Sequence, residues 1–216
     1  MKLAFDLDGT LINCEPRQSS VLRATMAGYG LKVDLKRVWE LKRDGASTKD
    51  AIKQLGLDQE QARRVVEAWS MMVETPFWLG MDTVISGVRE SLHKIRNAGA
   101  VLCLITARKR KEWVRPQLVN LGLIGYFDHI VVVPQDDVAK SKAKVLGELT
   151  ADAYFGDTES DFSACQISGV PFYGLCSGQR CREFLAQSGA SLIFSDLSEA
   201  IQDYNLLGLE NRSSSR

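Results

Sequence analysis

The chain has 216 residues, of which 45% are hydrophobic and 25% are charged, with 27 Lys and Arg against 27 Asp and Glu. These proportions are close to the average of globular proteins and argue against a disordered, fibrous or membrane-embedded chain. A formal net charge of zero leaves no basic excess for binding a phosphate backbone, so nucleic acid is not expected as the main partner.

The amino-terminal segment does not look like an export signal, because acidic Asp6 interrupts it after five residues. A secretory signal needs an apolar stretch of about 7–15 residues, and no segment approaches the roughly 20 apolar residues of a membrane span. The cysteine pair Cys176 and Cys181 has no second pair and no histidine nearby, which disfavours a zinc site. We therefore expect a cytoplasmic protein without a membrane partner.

Short apolar runs of strand length recur along the chain. They are nearly continuous rather than alternating, which is typical of strands buried on both faces of a parallel sheet. The runs are Lys2–Leu7, Val101–Thr106, His129–Val133, Ala153–Phe155, Pro171–Leu175 and Ser191–Phe194. Helical patterns lie between them, such as Val88–Ile95 before Gly99 and Trp113–Leu121 before Gly122. This alternation predicts an α/β fold with a Rossmann-like, three-layer core around a parallel sheet.

One long stretch after the first strand breaks the alternation and shows helical periodicity only, with glycines between its pieces. A helical bundle inserted so early in a sheet is typical of a lid or a second domain. We therefore expect an α/β core of residues 1–14 and 84–205, an inserted helical cap of residues 15–83, and a solvated tail of residues 206–216.

Two carboxylates mark the end of the first predicted strand, in Phe5-Asp6-Leu7-Asp8-Gly9-Thr10. A turn explains Asp8-Gly9, but it does not explain an acidic residue inside an apolar run. Because ligands of open α/β sheets bind beyond the carboxyl ends of the strands, Asp6 and Asp8 are candidate functional residues.

A second acidic cluster, Gly156-Asp157-Thr158-Glu159-Ser160-Asp161, follows a later strand. Taken alone, such residues are commonplace at the start of a helix. Together with Asp6 and Asp8 at one edge of the sheet they would repel one another unless a cation neutralised them. An oxygen-only set of this kind favours a hard cation, Mg²⁺ first.

Two further signals lie between these clusters. Thr106 ends a predicted strand and is followed by Arg108, and Lys140 and Lys142 open a helix-like segment. A threonine at a strand end often caps a helix, and a lysine run is usually a solvated helix face. Neither signal is specific on its own.

The four signals, in this order, resemble the haloacid dehalogenase-like hydrolase superfamily. The resemblance rests on Asp6-Leu-Asp8-Gly-Thr10, on Thr106, on a lysine at a helix start and on Gly156-Asp157-x-x-x-Asp161. It covers about Met1–Cys14 and Val84–Leu197, and the helical stretch between them matches the position of that family's type-1 cap.

The resemblance implies a role for each motif residue. Asp6 is the implied nucleophile, which forms an aspartyl-phosphate, and Asp8 is the implied acid for the leaving oxygen and base for water. Thr106 would donate a hydrogen bond to the phosphoryl group. Lys142, favoured over Lys140 by its Lys-x-x-x-Leu spacing, would offset the negative charge of the nucleophile and the phosphate. The implied Mg²⁺ ligands are Asp6, Asp8, Asp157 and Asp161.

Arg43, Ser47 and Arg108 are the candidate substrate contacts. The segment that begins at Arg43 resembles the substrate-specificity loop of the family's caps, but it is equally well explained as a connector between helices with Ser47 as the N-cap. Arg108 could touch a substrate phosphate or carboxylate, or equally cap its own loop.

The motifs together imply hydrolysis of a phosphate ester. Asp8 favours an oxygen leaving group, since the dehalogenases of this superfamily lack an aspartate at that place. We therefore expect a Mg²⁺-dependent phosphatase whose partner is a small phosphorylated metabolite. Two alternatives stay open: a phosphomutase of the β-phosphoglucomutase type, and a non-catalytic binding or regulatory protein on the same fold. The motifs predict neither the identity of the substrate nor the oligomeric state.

Overall fold

The computed structural model describes residues 1–208, with side chains as far as Tyr204. The strands are β1 (Lys2–Phe5), β2 (Ile12–Asn13), β3 (Thr83–Val84), β4 (Val101–Ala107), β5 (His129–Val133), β6 (Ala153–Gly156), β7 (Phe172–Leu175) and β8 (Ile193–Phe194). The helices are α1 (Glu15–Gly28), α2 (Leu35–Arg43), α3 (Thr48–Lys53), α4 (Gln59–Met72), α5 (Pro76–Leu79), α6 (Val88–Asn97), α7 (Val114–Asn120), α8 (Val138–Leu149), α9 (Glu159–Ser168), α10 (Arg182–Gln187) and α11 (Leu197–Gly208).

Six of the strands form a sheet in the order β5-β4-β1-β6-β7-β8, and all of its pairings are parallel. Every apolar run that was predicted as a strand contributes one of these six, and the expected α/β, Rossmann-like fold is confirmed. The first strand lies inside the sheet, between β4 and β6. Residues that follow β1, β4 and β6 therefore meet at one edge.

Apolar residues cover both faces of this sheet, which explains why the strands read as continuous apolar runs. One face packs against α6, α7 and α11 through a cluster that includes Phe5, Leu92 and Leu118. The other face packs against α8, α9 and α10 through a cluster that includes Tyr154 and Leu146. Helix, sheet and helix form the three expected layers.

The segment between β2 and β3 contains α1 to α5 and no strand among its described residues. Helices α1 to α4 share an apolar cluster of their own, built from Leu22, Met26, Val38, Ala51, Ile52, Ala62 and Val65. The segment leaves and rejoins the sheet through a short antiparallel ribbon in which Asn13 pairs with Thr83. The sequence did not predict this ribbon, because two residues per strand are too few to show a periodic pattern.

The last helix begins at Leu197 and continues to Gly208, so residues 206–208 of the expected tail are helical. The remainder of that tail lies outside the described residues. Among residues 1–208, none of the helices combines the length and the apolar character that crossing a membrane requires.

Candidate active site

The candidate residues collect at the carboxyl edge of three neighbouring strands. Asp6 directly follows β1, Thr106 is the last residue but one of β4, and Asp157 directly follows β6. The backbone N–H of Asp6 donates to the Phe155 carbonyl at 2.9 Å, which continues the pairing of β1 with β6 to the edge. Asp6, Thr106 and Asp157 are all buried.

A buried lysine joins two of the carboxylates. Lys142, in the first turns of α8, donates to Asp6 Oδ1 at 2.5 Å and to Asp161 Oδ1 at 2.6 Å. Burial opposes the charged forms, but Lys142 holds the pKa of Asp161 below its ordinary range, and the two carboxylates raise the pKa of Lys142. Lys140 instead pairs with Asp137 on the exposed side of the helix. The structure thus brings Lys142, and not Lys140, to the predicted nucleophile.

Asp6 itself is less well compensated than Asp161. Burial raises the pKa of Asp6 to about 7, and the neighbouring Asp161 raises it too, while Lys142 acts in the opposite direction. Asp161 also accepts hydrogen bonds from the Tyr154 hydroxyl and from the backbone and side chain of Thr158. Asp161 therefore holds Lys142 in place, and Asp6 is the carboxylate that remains available at the sheet edge.

Asp157 lies close to Asp6, under two glycine-containing loops. A Cβ atom added to Gly9 or Gly178 would lie 2.1 Å from Asp157 Oδ2, so both loops need glycine to approach this carboxylate. Thr10 Oγ1 donates to Asp157 Oδ1 at 3.2 Å, and the Gln179 N–H donates to Oδ2 at 2.7 Å. Burial, together with the charges of the other carboxylates, raises the pKa of Asp157 well above its ordinary value.

Asp6, Asp157 and Asp161 form a potential cation site. One carboxylate oxygen from each lies within 4.8 Å of the others, and all three residues are buried. The set is made of oxygen atoms alone, and three buried carboxylates face a single lysine charge. A hard divalent cation such as Mg²⁺ fits this donor set and would remove the excess negative charge.

Asp8 points into a neighbouring cavity, where two arginines hold it. Arg108 donates from Nε to Asp8 Oδ2 at 2.6 Å and from a terminal nitrogen to Oδ1 at 2.8 Å, and Arg17 of α1 also donates to Oδ1. Burial by itself would raise the pKa of Asp8, but the two guanidinium charges outweigh it and keep this pKa below its ordinary value. The loop-capping role considered for Arg108 is thus replaced by a bidentate contact with Asp8.

The arginines belong to a closed ring of buried side chains that the sequence did not reveal. Arg17 Nε donates to Asp82 Oδ1 at 2.9 Å, Gln117 Nε2 donates to Asp82 Oδ2 at 2.6 Å, and Arg108 reaches Gln117 Oε1 at 3.4 Å. Asp82 lies where the helical segment returns to the sheet. The ring therefore connects Asp8 to both ends of that segment.

The cavity beside Asp8 has a volume of about 200 Å³ and lies between the sheet edge and helices α1, α2 and α4. Its charged lining consists of Asp8, Arg17, Lys42, Glu74, Arg108 and Lys109. Basic side chains outnumber acidic ones, so the cavity favours an anion.

Arg43 and Ser47 are not among the residues that line this cavity. Arg43 donates to the carbonyl oxygens of Gly178, at 2.7 Å, and Cys176, at 3.1 Å, and so ties α2 to the loop that covers Asp157. Ser47 is the N-cap of α3 and accepts from the Asp50 N–H at 3.1 Å. The connector interpretation with Ser47 as N-cap thus describes its position.

Lys42, the neighbour of Arg43, reaches the cavity instead, although it belongs to none of the motifs. A signal was present: Lys42 lies four residues after Val38, so the two share the buried face of α2. A lysine on an apolar helix face is exceptional unless it has a partner.

Comparison with known proteins identifies the family of the chain and the fold that it shares with solved structures. Residues 3–175 match the family model of haloacid dehalogenase-like hydrolases. A phosphoglycolate phosphatase of Yersinia pseudotuberculosis is 28% identical over 92% of both chains. A predicted phosphatase from Clostridium acetobutylicum superposes with a TM-score of 0.73 at 20% identity, over 94% of this chain and 97% of its own.

A proposed β-phosphoglucomutase from Thermotoga maritima superposes with a TM-score of 0.66 at 22% identity, over 95% of this chain and 99% of its own. At these identities the structural likeness establishes the fold alone. The family model spans most of the chain, and the chain belongs to the haloacid dehalogenase-like hydrolases.

Proposed function

We propose that this hydrolase is a Mg²⁺-dependent phosphatase that cleaves a small phosphorylated metabolite. The observation that carries the proposal is buried Asp6, held by Lys142 at the sheet edge that also contains Asp157 and Asp161. The cavity of about 200 Å³ beside it is smaller than the roughly 300–1,000 Å³ of pockets for drug-sized ligands, which supports a small substrate. The name of the Yersinia relative makes 2-phosphoglycolate the first ester to test.

In the proposed reaction, an oxygen of Asp6 forms a bond to phosphorus while the bond from phosphorus to the alcohol oxygen breaks. This gives an aspartyl-phosphate. Water then attacks the same phosphorus, inorganic phosphate leaves and the Asp6 carboxylate is restored. Lys142 supports both steps, because its charge offsets that of the carboxylate and the phosphoryl group. Thr106 is proposed to donate a hydrogen bond to the phosphoryl group.

Asp8 is proposed to give a proton to the leaving alcohol oxygen and to take one from the attacking water. The charges of Arg17 and Arg108 favour its carboxylate form, which is the form that a base needs. Protonation for the acid step therefore requires the substrate to weaken at least one of these two contacts. Arg108 is the better candidate for such an exchange, since it lines the cavity and is the substrate contact expected from the sequence.

The proposed Mg²⁺ ligands are side-chain oxygens of Asp6 and Asp157 together with the backbone carbonyl of Asp8, as the family resemblance implies. Asp161 completes the acidic cluster, and its four hydrogen bonds also suit it to hold Lys142 in place. When bound, Mg²⁺ supplies positive charge that screens the phosphoryl group from the carboxylates and orients it.

Residues 15–83 are proposed to act as a cap that shields the reaction from water. Supporting contacts join this segment to the loop over Asp157: Arg43 donates to the Gly178 carbonyl, and Arg180 donates to the Lys42 carbonyl at 2.7 Å. Arg180 is fixed in turn by Glu159, with contacts of 2.6 and 2.8 Å. A cytoplasmic location is part of the same proposal.

The test is release of inorganic phosphate by the full chain after EDTA treatment, with 2-phosphoglycolate and a panel of sugar and nucleotide phosphates. We expect release only after Mg²⁺ is added back. Equal release without metal would contradict the role of Mg²⁺. An isomerised phosphate ester in place of inorganic phosphate would favour the mutase, and no product from any ester would favour the non-catalytic alternative.

A further inference from the structure

Helix α2 carries a buried lysine whose partners are all neutral. The Lys42 Nζ donates to Gln18 Oε1 and, at 2.9 Å, to Thr48 Oγ1. It also lies 5.4 Å from the ring centre of Trp39 and 5.9 Å from that of Trp69. Amide and hydroxyl oxygens and ring faces stabilise an ammonium group, but they do not cancel its charge.

The surroundings of this ammonium group disfavour its charge. Burial lowers the pKa of Lys42 to about 8; Cys14 and Asp8 act in the opposite direction, and the positive charges of Arg180 and Arg17 act in the same direction as burial. Side chains with an uncompensated buried charge are rare, because a neutral side chain of similar size would be more stable there. A lysine that contacts only neutral groups of the chain therefore points to a negative partner in the adjoining cavity.

The cavity shows where such a partner would lie. Lys42 and Asp8 both line it, with Asp8 on the side of the sheet edge and Lys42 on the side of α2. Asp8 is the group proposed to protonate the leaving oxygen. The part of a substrate that extends from that oxygen into the cavity is therefore its alcohol portion, and Lys42 faces that portion.

We propose that Lys42 binds a carboxylate on the alcohol portion of the substrate and so determines which phosphate esters are cleaved. This inference rests on the proposed phosphatase activity and adds the group that selects the substrate. An ammonium group has three N–H donors; Gln18 and Thr48 engage two of them, and the third matches one carboxylate oxygen. The small volume of the cavity favours this compact anion over a second phosphate group.

A purely structural role is the competing explanation, since Lys42 also links α1 to α3 through Gln18 and Thr48. The two explanations differ in what they predict for a pair of esters. 2-Phosphoglycolate and ethyl phosphate have the same length, and only the first carries a carboxylate. A structural defect would reduce cleavage of both by the same factor, whereas loss of a carboxylate contact would reduce only the first.

The experiment compares kcat/KM for the two esters in the wild-type chain and in Lys42→Met. We expect the ratio of 2-phosphoglycolate to ethyl phosphate to fall by about 10- to 100-fold, the value of a charge-assisted hydrogen bond. Lys36→Met is the matched control, because Lys36 lies on the same helix with its side chain 88% exposed, and it should leave the ratio unchanged. Lys42→Arg, which keeps the charge, should retain more of the ratio than Lys42→Met.

An unchanged ratio in Lys42→Met would overturn the assignment of Lys42 while leaving the phosphatase intact. Cleavage of neither ester by the wild-type chain with Mg²⁺ would overturn the proposed function and this inference with it. If Lys42→Met does not fold, as judged by its circular dichroism, Lys42→Gln replaces it, since glutamine keeps a donor for Thr48 without the charge. A ratio in Lys42→Gln equal to that of the wild type would likewise overturn the assignment.

Discussion

The sheet edge and the helical segment each contain a buried lysine, and the two lysines have opposite surroundings. Lys142 lies between the carboxylates of Asp6 and Asp161, which raise its pKa despite burial. Lys42 has amide, hydroxyl and aromatic neighbours, and burial lowers its pKa to about 8. Lys142 is in direct contact with carboxylates of the chain, whereas the direct contacts of Lys42 are all neutral.

This difference separates two uses of a buried charge. A lysine whose counter-charges are supplied by the protein holds those groups in place, and it is needed whatever the substrate is. A lysine without a counter-charge is suited to a ligand that brings one. The chemistry of the sheet edge and the choice of substrate should therefore respond to different substitutions.

Removal of the nucleophile should have the largest effect. Asp6→Asn should lower phosphate release from every ester by at least about 1,000-fold, since an amide cannot form the acyl-phosphate. The fold should persist, because Lys142 keeps its contact with Asp161. The control is Asp136→Asn, at an exposed position after β5, which should keep wild-type activity. Turnover by Asp6→Asn within tenfold of the wild type would rule out the aspartyl-phosphate.

Removal of the paired lysine should damage stability and activity together. Lys142→Met leaves Asp6 and Asp161 buried without their shared cation, which should reduce the free energy of unfolding by about 3–5 kcal/mol. This corresponds to a fall of roughly 10 °C in the melting temperature. Lys140→Met should change neither quantity, because Lys140 is exposed and pairs only with Asp137. A reversal of the two results would transfer the role to Lys140.

Metal binding at the sheet edge should be measurable without any substrate. Mg²⁺ at about 100 times its dissociation constant should add about 2.7 kcal/mol to the free energy of unfolding. The cation would relieve the repulsion that, with burial, raises the pKa of Asp157. In Asp157→Asn the stabilisation by Mg²⁺ should be much smaller. Equal stabilisation of the variant and the wild type, seen in thermal melts, would show that the cation binds elsewhere.

Removal of Lys42, whose direct contacts are neutral, should stabilise the protein, in contrast to removal of Lys142. Lys42→Met exchanges a buried charge for an apolar side chain, and should raise the free energy of unfolding by about 1–3 kcal/mol at pH 7. The pKa of Lys42 is about 8 in the folded chain and 10.5 ordinarily, so between these values the unfolded wild type holds the extra proton. Wild-type stability from this group then rises with pH, and the advantage of the variant should shrink.

The charged neighbours of Lys42 do not obscure the titration of Lys42 itself. The carboxylate of Asp8 raises the pKa of Arg17, the arginines in turn lower the pKa of Asp8, and burial raises the pKa of the Cys14 thiol well above its ordinary value. Denaturant melts of both proteins at pH 7, 8.5 and 10 measure the difference directly. A difference that grows with pH, or a less stable variant at pH 7, would mean that Lys42 is not an uncompensated charge.

The smallest effect is expected at Ser47, a candidate substrate contact in the segment that resembles a specificity loop. Ser47→Ala removes the N-cap of α3 and should cost about 1 kcal/mol of stability. The ratio of activity on 2-phosphoglycolate and ethyl phosphate should not change, because Ser47 does not line the cavity. A tenfold change in that ratio, with the melting temperature unaltered, would restore Ser47 as a substrate contact.

Much of the sheet was predictable because buried parallel strands are short, apolar and separated by helical periodicity. The positions of Asp6 and Asp157 could also be predicted, since each directly follows such a strand. Parallel topology brings them to the same edge of the sheet, and the strand order, with β6 beside β1, brings them together. Local pattern and one topological rule were sufficient to locate the sheet edge.

The partners of Asp8, and the choice of which residues of the helical segment face the cavity, were not predictable in the same way. Arg17 and Asp82 look like ordinary surface charges in the sequence, and they acquire a role only because the segment folds back and brings them together. Arg43 and Lys42 are adjacent in the chain, yet α2 directs one to the Gly178 loop and the other to the cavity. Helix rotation relative to the sheet decides such cases, and it depends on packing between distant elements.

The ribbon of β2 and β3 gives the molecule a modular design. Asn13 and Thr83 are cross-strand partners, so a short turn between them would close the chain without residues 14–82. The sheet would keep its strand order and its register, and the helical segment has an apolar cluster of its own. Evolution can therefore lengthen, trim or exchange this module while the strands below stay unchanged. A changed helical segment could then admit new substrates while the residues at the sheet edge stay the same.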